Sequence, residues 1–467
     1  MVLSDKELLE DLFDAYYDAR KNKRNTVNQL QFEINLEHNI MELYTQISQR
    51  RYVTGKSICF VVMKPVRREV FAADFRDRVV HHLVFGYMLA MCERSFIEDS
   101  YSCRKNKGTL FGIQRLEKNM RRCSGNYKRE SYILKLDLRG YFMSMDKEVL
   151  KVKIRKMLDK FYNRTVSPND DLYFSMVRKY ESLKKERGDG GKVTFGEIVD
   201  FDLLWYLIEI VIDSDCTQNF VFKSKPWERE GLPKSKSLFF SRKGCGLTIG
   251  NLTSQLFSNI YLNDFDHFMK RDMKLKHYGR YVDDFYVVHQ DREYLVSLIE
   301  VVRKRLWDEF RQVLHPNKIY IQPCVRGVDF LGARVKPFSR LVSKRTKVNF
   351  RQAMVEIDKE CKGEMSFRKA FLVRSRINSY AGYTKHYKAF GLRRHLMTKG
   401  SFFEYMYLSR FCEKSIIKRK CLESWYDELI KEVFRLNAPE DDGTVNDDSS
   451  PAWFVNEAGG SVAVRRC

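Results

Sequence analysis

The segment Tyr278–His289, YGRYVDDFYVVH, constrains this chain more than any other. Two short runs rich in Tyr, Val and Phe flank a pair of aspartates, which predicts two strands joined by a tight turn with both carboxylates at its tip. Asp is also an ordinary turn residue, so the pair alone leaves a purely local role open. A second acid upstream adds to the pattern. In Tyr132–Met145, YILKLDLRGYFMSM, alternation puts Leu134, Leu136 and Leu138 on one strand face and Ile133, Lys135 and Asp137 on the other. A lone acid ending an apolar strand is costly to bury unless a cation satisfies it. Three such carboxylates can hold two divalent ions about 3.5–4 Å apart, the clamp that serves phosphoryl transfer. Hard oxygen ligands point to Mg²⁺, with Mn²⁺ as a substitute. Asp137, Asp283 and Asp284 therefore read as a nucleotidyl-transfer set.

Charge says what such a set would act on. The 467 residues carry 84 Lys+Arg against 61 Asp+Glu, a formal net charge of +23. That excess favours a polyanion, nucleic acid first and an anionic membrane surface second. The membrane reading weakens because the longest apolar stretch, Phe201–Ile212, is short and interrupted by Asp202 and Glu209. Acids at Asp5, Glu7, Glu10 and Asp11 are unlike a secretory or transit segment, so a cytoplasmic location is expected. The 11 cysteines form no CxxC pair and read as small buried hydrophobes rather than zinc ligands or disulfides.

The organisation follows from composition along the chain. Residues 1–50 read as a helical extension, opened by a Ser4–Glu7 capping box, with a second helical pattern through Val27, Leu30, Ile34, Ile40, Leu43 and Ile47. Lys184–Lys192 reads as a surface loop, and Trp205–Ile212 as a buried helix or strand. Beyond Lys336 the chain is basic and helical in pattern, with Arg374, Arg376, Lys385, Lys388, Arg393 and Arg394 among Tyr380, Tyr383, Tyr387 and Phe390. Cations among rings suit a groove that tracks a phosphate backbone, or equally a solvated helix face over an aromatic core. Residues 438–467 carry six acids and two arginines, which leaves +27 on residues 1–437; this tail reads as mobile, with partner docking through Trp453 and Phe454 as the alternative.

These residues together resemble the reverse transcriptases over roughly Arg51–Arg394. YVDD after an aromatic-rich run is similar to that family's catalytic hairpin, and KLDLRGYF to its first catalytic strand. The resemblance implies an α+β right-hand polymerase: a palm of antiparallel sheet and helices with fingers over 51–335, an insertion at about 163–197, and a helical thumb over 336–437. It makes Asp137, Asp283 and Asp284 the catalytic, metal-binding acids, with Asp137 and Asp283 foremost as ligands. Phe142 matches the steric gate that excludes a 2′-hydroxyl, its alternative being core packing. Arg68 in RREVFAADFRDR and Arg104 in DSYSCRKNKG match positions that grip a triphosphate, a task suited to guanidinium forks. Lys318 in LHPNKIY matches a lysine near that triphosphate, or is a plain surface lysine. The basic thumb would hold an RNA/DNA duplex by its backbone.

The stretch GCGLTIGNLTSQLFSNIYL, Gly244–Leu262, narrows the resemblance. Ile249-Gly250 and Ser254-Gln255 stand where intron-encoded relatives carry Gln-Gly and Ser-Pro. This is the pattern of diversity-generating retroelement enzymes and of related bacterial defence-associated reverse transcriptases, and it places Ile249, Gly250 and Gln255 at the nucleotide site. KSLFFSRKGCGL, FLGARVKP and NSYAGYTKHY suggest the same lineage; Thr248, where a proline is common, and the long 163–197 segment depart from it. The resemblance implies template RNA, cDNA and dNTPs as partners, with a noncoding RNA, a small basic accessory protein or self-association beside them, and no membrane. A noncatalytic RNA-binding scaffold and an RNA-dependent RNA polymerase are the competing classes; the intact acids oppose the first and Phe142 the second. His81 and His82 are expected to be packed or hydrogen-bonded.

Overall fold

The computed structural model describes residues 5–21, 26–63, 67–188, 190–398, 400–419, 421–423 and 425. Ser4 of the capping box and the tail with Trp453 and Phe454 lie outside them. The described residues form two compact units, one drawn from 1–348 and 386–389, the other from 349–385 and 390–467. The fold is mixed α+β. In chain order the strands are β1 (Ser57–Val62), β2 (Arg68–Ala72), β3 (Tyr132–Asp137), β4 (Phe220–Phe222), β5 (Tyr278–Tyr281), β6 (Asp284–His289), β7 (Tyr320–Pro323), β8 (Val328–Phe330), β9 (Ala333–Lys336), β10 (Ser339–Val342), β11 (Met406–Leu408) and β12 (Ser415–Ile417).

The first unit is organised by the antiparallel sheet β5-β6-β3-β7. Its strands are apolar on the face turned to the helices Leu252–Tyr261 and Arg292–Phe310, and that alternation fixes the register. Phe285 is fully buried there, and Phe265 stands between Tyr278, Phe285 and Phe310 at ring separations of 6.5, 5.5 and 6.1 Å. Burying one such ring contributes about 2–3 kcal/mol. On the opposite face the Tyr286 hydroxyl meets Tyr101 at 2.8 Å and accepts from Asn119 at 3.0 Å, which seats the helix Thr109–Cys123 against the sheet. A smaller sheet, β2-β1-β4, packs Cys59 and Phe71 onto Met143, Cys216 and Leu238.

The helix Phe75–Ser95 is buried around most of its circumference, so its sequence shows little amphipathic pattern. Asp74 caps it by accepting from the Arg76 N–H at 3.2 Å. The helix Asp5–Arg20 lies against it, joined by Asp11, which is fully buried and accepts from the Tyr87 hydroxyl and the Ser175 hydroxyl, each at 2.6 Å. Burial raises the Asp11 carboxyl above its ordinary range, against the lowering effect of those donors.

Three local expectations change. The pattern from Val27 to Ile47 is two helices, Val27–Ile34 and Leu36–Ser48, broken at Asn35. The break leaves Val27, Leu30 and Ile34 exposed and buries Gln29 and Phe32 instead, while Ile40, Leu43 and Ile47 are fully buried as the spacing requires. The basic run Lys184–Arg187 is the last turn of the helix Ser175–Arg187, because cations suit a helix C-terminus; Lys184 donates to the Gly191 carbonyl at 2.9 Å. Trp205–Ile212 lies in the helix Phe201–Asp213. Among the described residues no helix is long and apolar enough to cross a membrane, and the cysteines are free, most of them buried.

The second unit has its own core, in which Phe350, Ile357, Val373, Ile377, Met397 and Phe402 are fully buried. The helix Phe367–Thr384, capped by Ser366, runs beside the hairpin β11–β12. Asn378 accepts from the Ser415 N–H at 2.6 Å and fixes that pairing.

Candidate active site

The two aspartates fall at the hairpin tip between β5 and β6, with Val282 and Asp283 as the turn and Asp284 as the first residue of β6. Val282 has φ 55°, the left-handed region that a two-residue hairpin turn ordinarily gives to glycine. A β-branched residue there is strained, by about 1–3 kcal/mol. Surrounding bonds hold it. Arg280, fully buried, donates to the Val282 carbonyl at 3.0 Å and grips Asp266 through two bonds of 2.8 and 2.6 Å. Tyr278 donates to the same Asp266 at 2.6 Å, and the Val282 N–H reaches the Ser102 hydroxyl at 3.3 Å.

Register brings the third acid in. Asp137, the last residue of β3, pairs directly with Asp284, and the Leu138 N–H donates to the Asp283 carbonyl at 3.2 Å. Like charges directly opposite on a sheet repel, so the cluster needs countercharge. Two lysines supply it: Lys318 Nζ lies 2.7 Å from Asp137 Oδ1, and Lys135 Nζ 3.1 Å from Asp284 Oδ2. Burial, then repulsion from Asp137, pushes Asp283 up to about 6. Burial pushes Asp284 up to about 7, with Lys135 opposing and the other two carboxylates adding to the rise. Asp284 Oδ1 is buried without a hydrogen-bond partner. Among the described residues no three His, Cys, Asp or Glu side chains stand as a ready-made metal cage.

Asp137 and Asp283 open onto a pocket of about 730 Å³ whose lining includes Arg68, Phe142, Lys236, Ile249 and Lys318. Gly140, at φ 59°, turns the chain from β3 into the short helix Tyr141–Ser144, and a Cβ there would meet the Ser235 carbonyl oxygen at 3.0 Å. That approach brings Ser235 and Lys236 over the acids. Burial and repulsion from Lys318 and Arg68 lower the Lys236 pKa, while Asp137 and Asp283 oppose the shift. The floor is carboxylate and the wall cationic, an arrangement that accepts an anion carrying bound cations.

The remaining expected residues divide. Gly250 does not line the pocket; at φ 131° it lets the chain pass against β2, where a Cβ would meet Val70 at 2.9 Å and the Phe71 oxygen at 3.0 Å. Ile249 accepts from the Phe71 N–H at 3.1 Å and so holds its side chain at the pocket edge. Gln255 is exposed and outside the lining. Thr248, in place of a proline, exchanges a 3.0 Å hydrogen bond with Ser254 and accepts from Asn251 at 3.1 Å.

Arg104 corrects the triphosphate expectation made for it. Its side chain is 5% exposed, its donors go to Glu93 and to the Ile97 and Ser100 carbonyls, and it braces the loop instead of facing the pocket. In the second unit Arg393 is buried and donates to the Thr384 carbonyl at 2.8 Å, so it clamps the helix end and cannot follow a phosphate backbone. Arg376 is paired with Glu356 and Glu360 at 2.9 and 2.6 Å, and Arg374 lies 5.3 Å over Phe371. Lys385 and Arg394 are exposed there; Lys388, also exposed, belongs to the first unit. His81 bonds Thr253 at 2.8 Å, and burial lowers it to about 3.

Lys236, Lys135 and the Arg280–Asp266 pair were not among the expected site residues. Lys135 shares the alternating face with Asp137, which is a usable signal; Lys236 and Asp266 reach the site only through tertiary folding.

No protein-family model and no curated protein matches the chain. Among solved structures, the backbone is similar to telomerase from Candida albicans in complex with the TWJ fragment of telomeric RNA, at 12% identity and TM-score 0.39, over 72% of this chain and 56% of that one. It is also similar to apo telomerase from Candida tropicalis, at 11% identity and TM-score 0.41, over 84% of this chain and 68% of that one. The chain thus spans little more than half of the first of these.

Proposed function

We propose that this chain is an RNA-directed DNA polymerase, a nucleotidyltransferase whose catalytic acids are Asp137, Asp283 and Asp284. The observation that carries the reading is the register pairing of Asp137 with Asp284, which sets Asp137 and Asp283 together at the floor of a pocket walled by Arg68, Lys236 and Lys318, with Asp284 directly beside them. The donor set suits hard divalent cations: carboxylate oxygens only, two of the acids pushed towards protonation, and Asp284 Oδ1 buried without a partner. Asp137, Asp283 and Asp284 would hold two Mg²⁺ ions, or Mn²⁺ in their place. When bound, such ions stabilise the attacking and leaving oxygens of an in-line displacement.

The chain's own groups divide the remaining work. Arg68, Lys236 and Lys318 would neutralise the triphosphate, and Lys318, 2.7 Å from Asp137 Oδ1, also offsets that carboxylate. Phe142, packed edge-on against Tyr141 with ring centroids 5.4 Å apart, presents its ring to the pocket and excludes a 2′-hydroxyl. Ile249 offers the template pair an apolar edge in place of a hydrogen-bonding amide. That substitution, with Gly250 and Ser254-Gln255, supports a place among bacterial diversity-generating retroelement enzymes, acting on template RNA in the cytoplasm. The long 163–197 segment favours the alternative role, copying a dedicated noncoding RNA in defence against phage; the genomic neighbours distinguish the two.

Primer extension on an RNA template, with dNTPs or rNTPs, tests the chemistry. The expected result is synthesis with dNTPs, and at least 10-fold more ribonucleotide incorporation by Phe142→Ala, since a lost steric exclusion of about 1.4 kcal/mol is one decade. Exclusive use of rNTPs by the unmodified chain, or no synthesis with either, overturns the reading.

A further inference from the structure

The end of the β5–β6 hairpin opposite the aspartates carries a second charged site of the other sign. The helix Thr109–Cys123 carries Lys118 and ends in Arg121 and Arg122, and the following loop turns sharply through Gly125, Asn126 and Tyr127 at φ 55°, 64° and 64°. That turn is rigidly bonded: Asn126 N–H donates to the Arg121 carbonyl at 2.8 Å, Arg129 N–H to the Ser124 carbonyl at 2.9 Å, and Tyr127 N–H to the Ser124 hydroxyl at 2.8 Å. The result is an open hollow of about 560 Å³ lined solely by Lys118, Arg121, Arg122, Gly125, Asn126 and Lys128. A second hollow of about 560 Å³ adjoins it through the shared Arg122 and adds Arg129, Lys274, Lys276, His277 and His289.

We infer that these two hollows form a binding site for the phosphodiester backbone of a helical RNA segment, separate from the catalytic pocket. Lys118, Arg122, Lys128, Lys274 and Lys276 are exposed and form no ion pair among the described residues. Most acids here are engaged: Glu117 pairs with Arg340 at 3.2 Å and Asp99 with Arg115 at 2.7 Å and Lys270 at 2.9 Å, while Asp291, which lines the second hollow, caps a helix by accepting from the Tyr294 N–H at 3.0 Å. Exposed Glu130 and Asp272 are the acids left near the rim. His277 feels the same field: burial, then Lys270, Arg122 and Lys276, lower its pKa.

Geometry selects the ligand. Five unpaired cations spread along two joined hollows match a line of phosphates better than one small anion, which needs donors converging on a point. The rings in the second hollow, His277, His289 and Tyr294, are half-buried, and Tyr294 lies against His289 with ring centroids 4.7 Å apart, so no ring stands free as a stacking platform and recognition is by backbone and shape, the mode that suits double-stranded RNA. A membrane surface would call for apolar side chains beside the cations, yet Leu275 and Val288 in the lining are buried. Five residue steps along β6 separate His289 from Asp284, roughly 17 Å at 3.3–3.4 Å per residue. This is beyond reach of a nucleotide in the pocket, so the segment held here is RNA other than the base pair being formed.

The test measures binding of a blunt RNA hairpin to the full chain by fluorescence anisotropy at several salt concentrations, comparing it with Lys118→Ala/Arg122→Ala/Lys274→Ala. Three lost phosphate contacts should make the salt dependence of log K shallower by about 2.7 and weaken binding roughly 100-fold at 0.15 M salt. Extension of a short primer–template should stay within twofold, and a Lys118→Arg/Arg122→Lys/Lys274→Arg variant should bind as the original does. Asp283→Ala/Asp284→Ala should retain hairpin binding, which separates this site from failure of the polymerase reading. Unchanged hairpin binding overturns the proposal. So does an equal loss of short primer–template binding, which would make the patch part of the catalytic cleft, or loss of binding to phosphatidylserine vesicles without loss of hairpin binding.

Discussion

The two ends of one hairpin differ in how they meet charge. At the Val282–Asp283 turn three carboxylates are crowded by register, partly buried, and held by Lys135, Lys318 and a fully buried Arg280 beneath. At the other end Lys118, Arg122 and Lys274 stand exposed with no ion pair among the described residues. A separation of roughly 17 Å along the strand exceeds the Debye length of about 8 Å at physiological salt, so neither end neutralises the other. The acid end is organised from inside, through buried partners that fix geometry. The basic end is organised from outside, by a loop that displays cations to solvent. Chemistry needs the first arrangement and backbone binding needs only the second.

That contrast can be broken experimentally, and the acid end should give way most. Replacing Asp283 and Asp284 by Ala should reduce primer extension by roughly 10³-fold or more while RNA hairpin affinity stays within about threefold. Persistent extension would mean that the reactive end of the hairpin lies elsewhere. Next in size, Arg280→Ala strands a buried Asp266 and releases the Val282 carbonyl, so urea unfolding should show a loss of about 3–5 kcal/mol. Lys118→Ala at the exposed end should change stability by no more than about 0.5 kcal/mol. Equal effects from the two would erase the distinction drawn above.

Acidity gives a sharper form of the same comparison. The Asp284 carboxyl keeps its proton up to about pH 7 in the fold but to about 3.8 in the unfolded chain. Its contribution is therefore fully present below about pH 4 and is lost as pH rises through 7. Asp284→Asn removes that loss. The melting temperature of the variant should pull ahead of the parent's between pH 4 and 8, with a gap in free energy of order 2–4 kcal/mol at the upper end. A gap independent of pH would show that repulsion and burial do not act on this carboxyl as described. A small effect is expected at the turn itself, where Val282→Gly relieves the left-handed strain but adds backbone entropy to the unfolded chain. A net gain of about 1 kcal/mol or less in urea unfolding is the outcome, and a loss would place the strain elsewhere.

Legibility in the sequence varied with the range of the interaction. YVDD between two aromatic runs and the alternation of YILKLD are local, and both strands, the turn and the shared face of Lys135 and Asp137 follow from them. Arg104 and Arg393 look like free cations in the sequence, yet Glu93 and the Thr384 carbonyl claim them. The apolar spacing through Val27, Leu30 and Ile34 suggests one buried face, but the break at Asn35 turns those residues to solvent.

Side-chain alternation and turn chemistry act over a few residues, so the sequence by itself determined that this chain makes an acid-tipped hairpin and a second acid-ended strand. It also determined that the excess charge seeks a polyanion. Which strands pair, and so whether Asp137 stands opposite Asp284, depends on loops that close over more than a hundred residues. The tertiary structure alone decided that, together with the choice of Lys236 over Arg104 at the pocket wall and the gathering of cations from two distant segments at the far end of β5–β6. The reason is physical: a charged side chain is free or engaged according to what packs beside it, and its neighbours in space are seldom its neighbours in the chain.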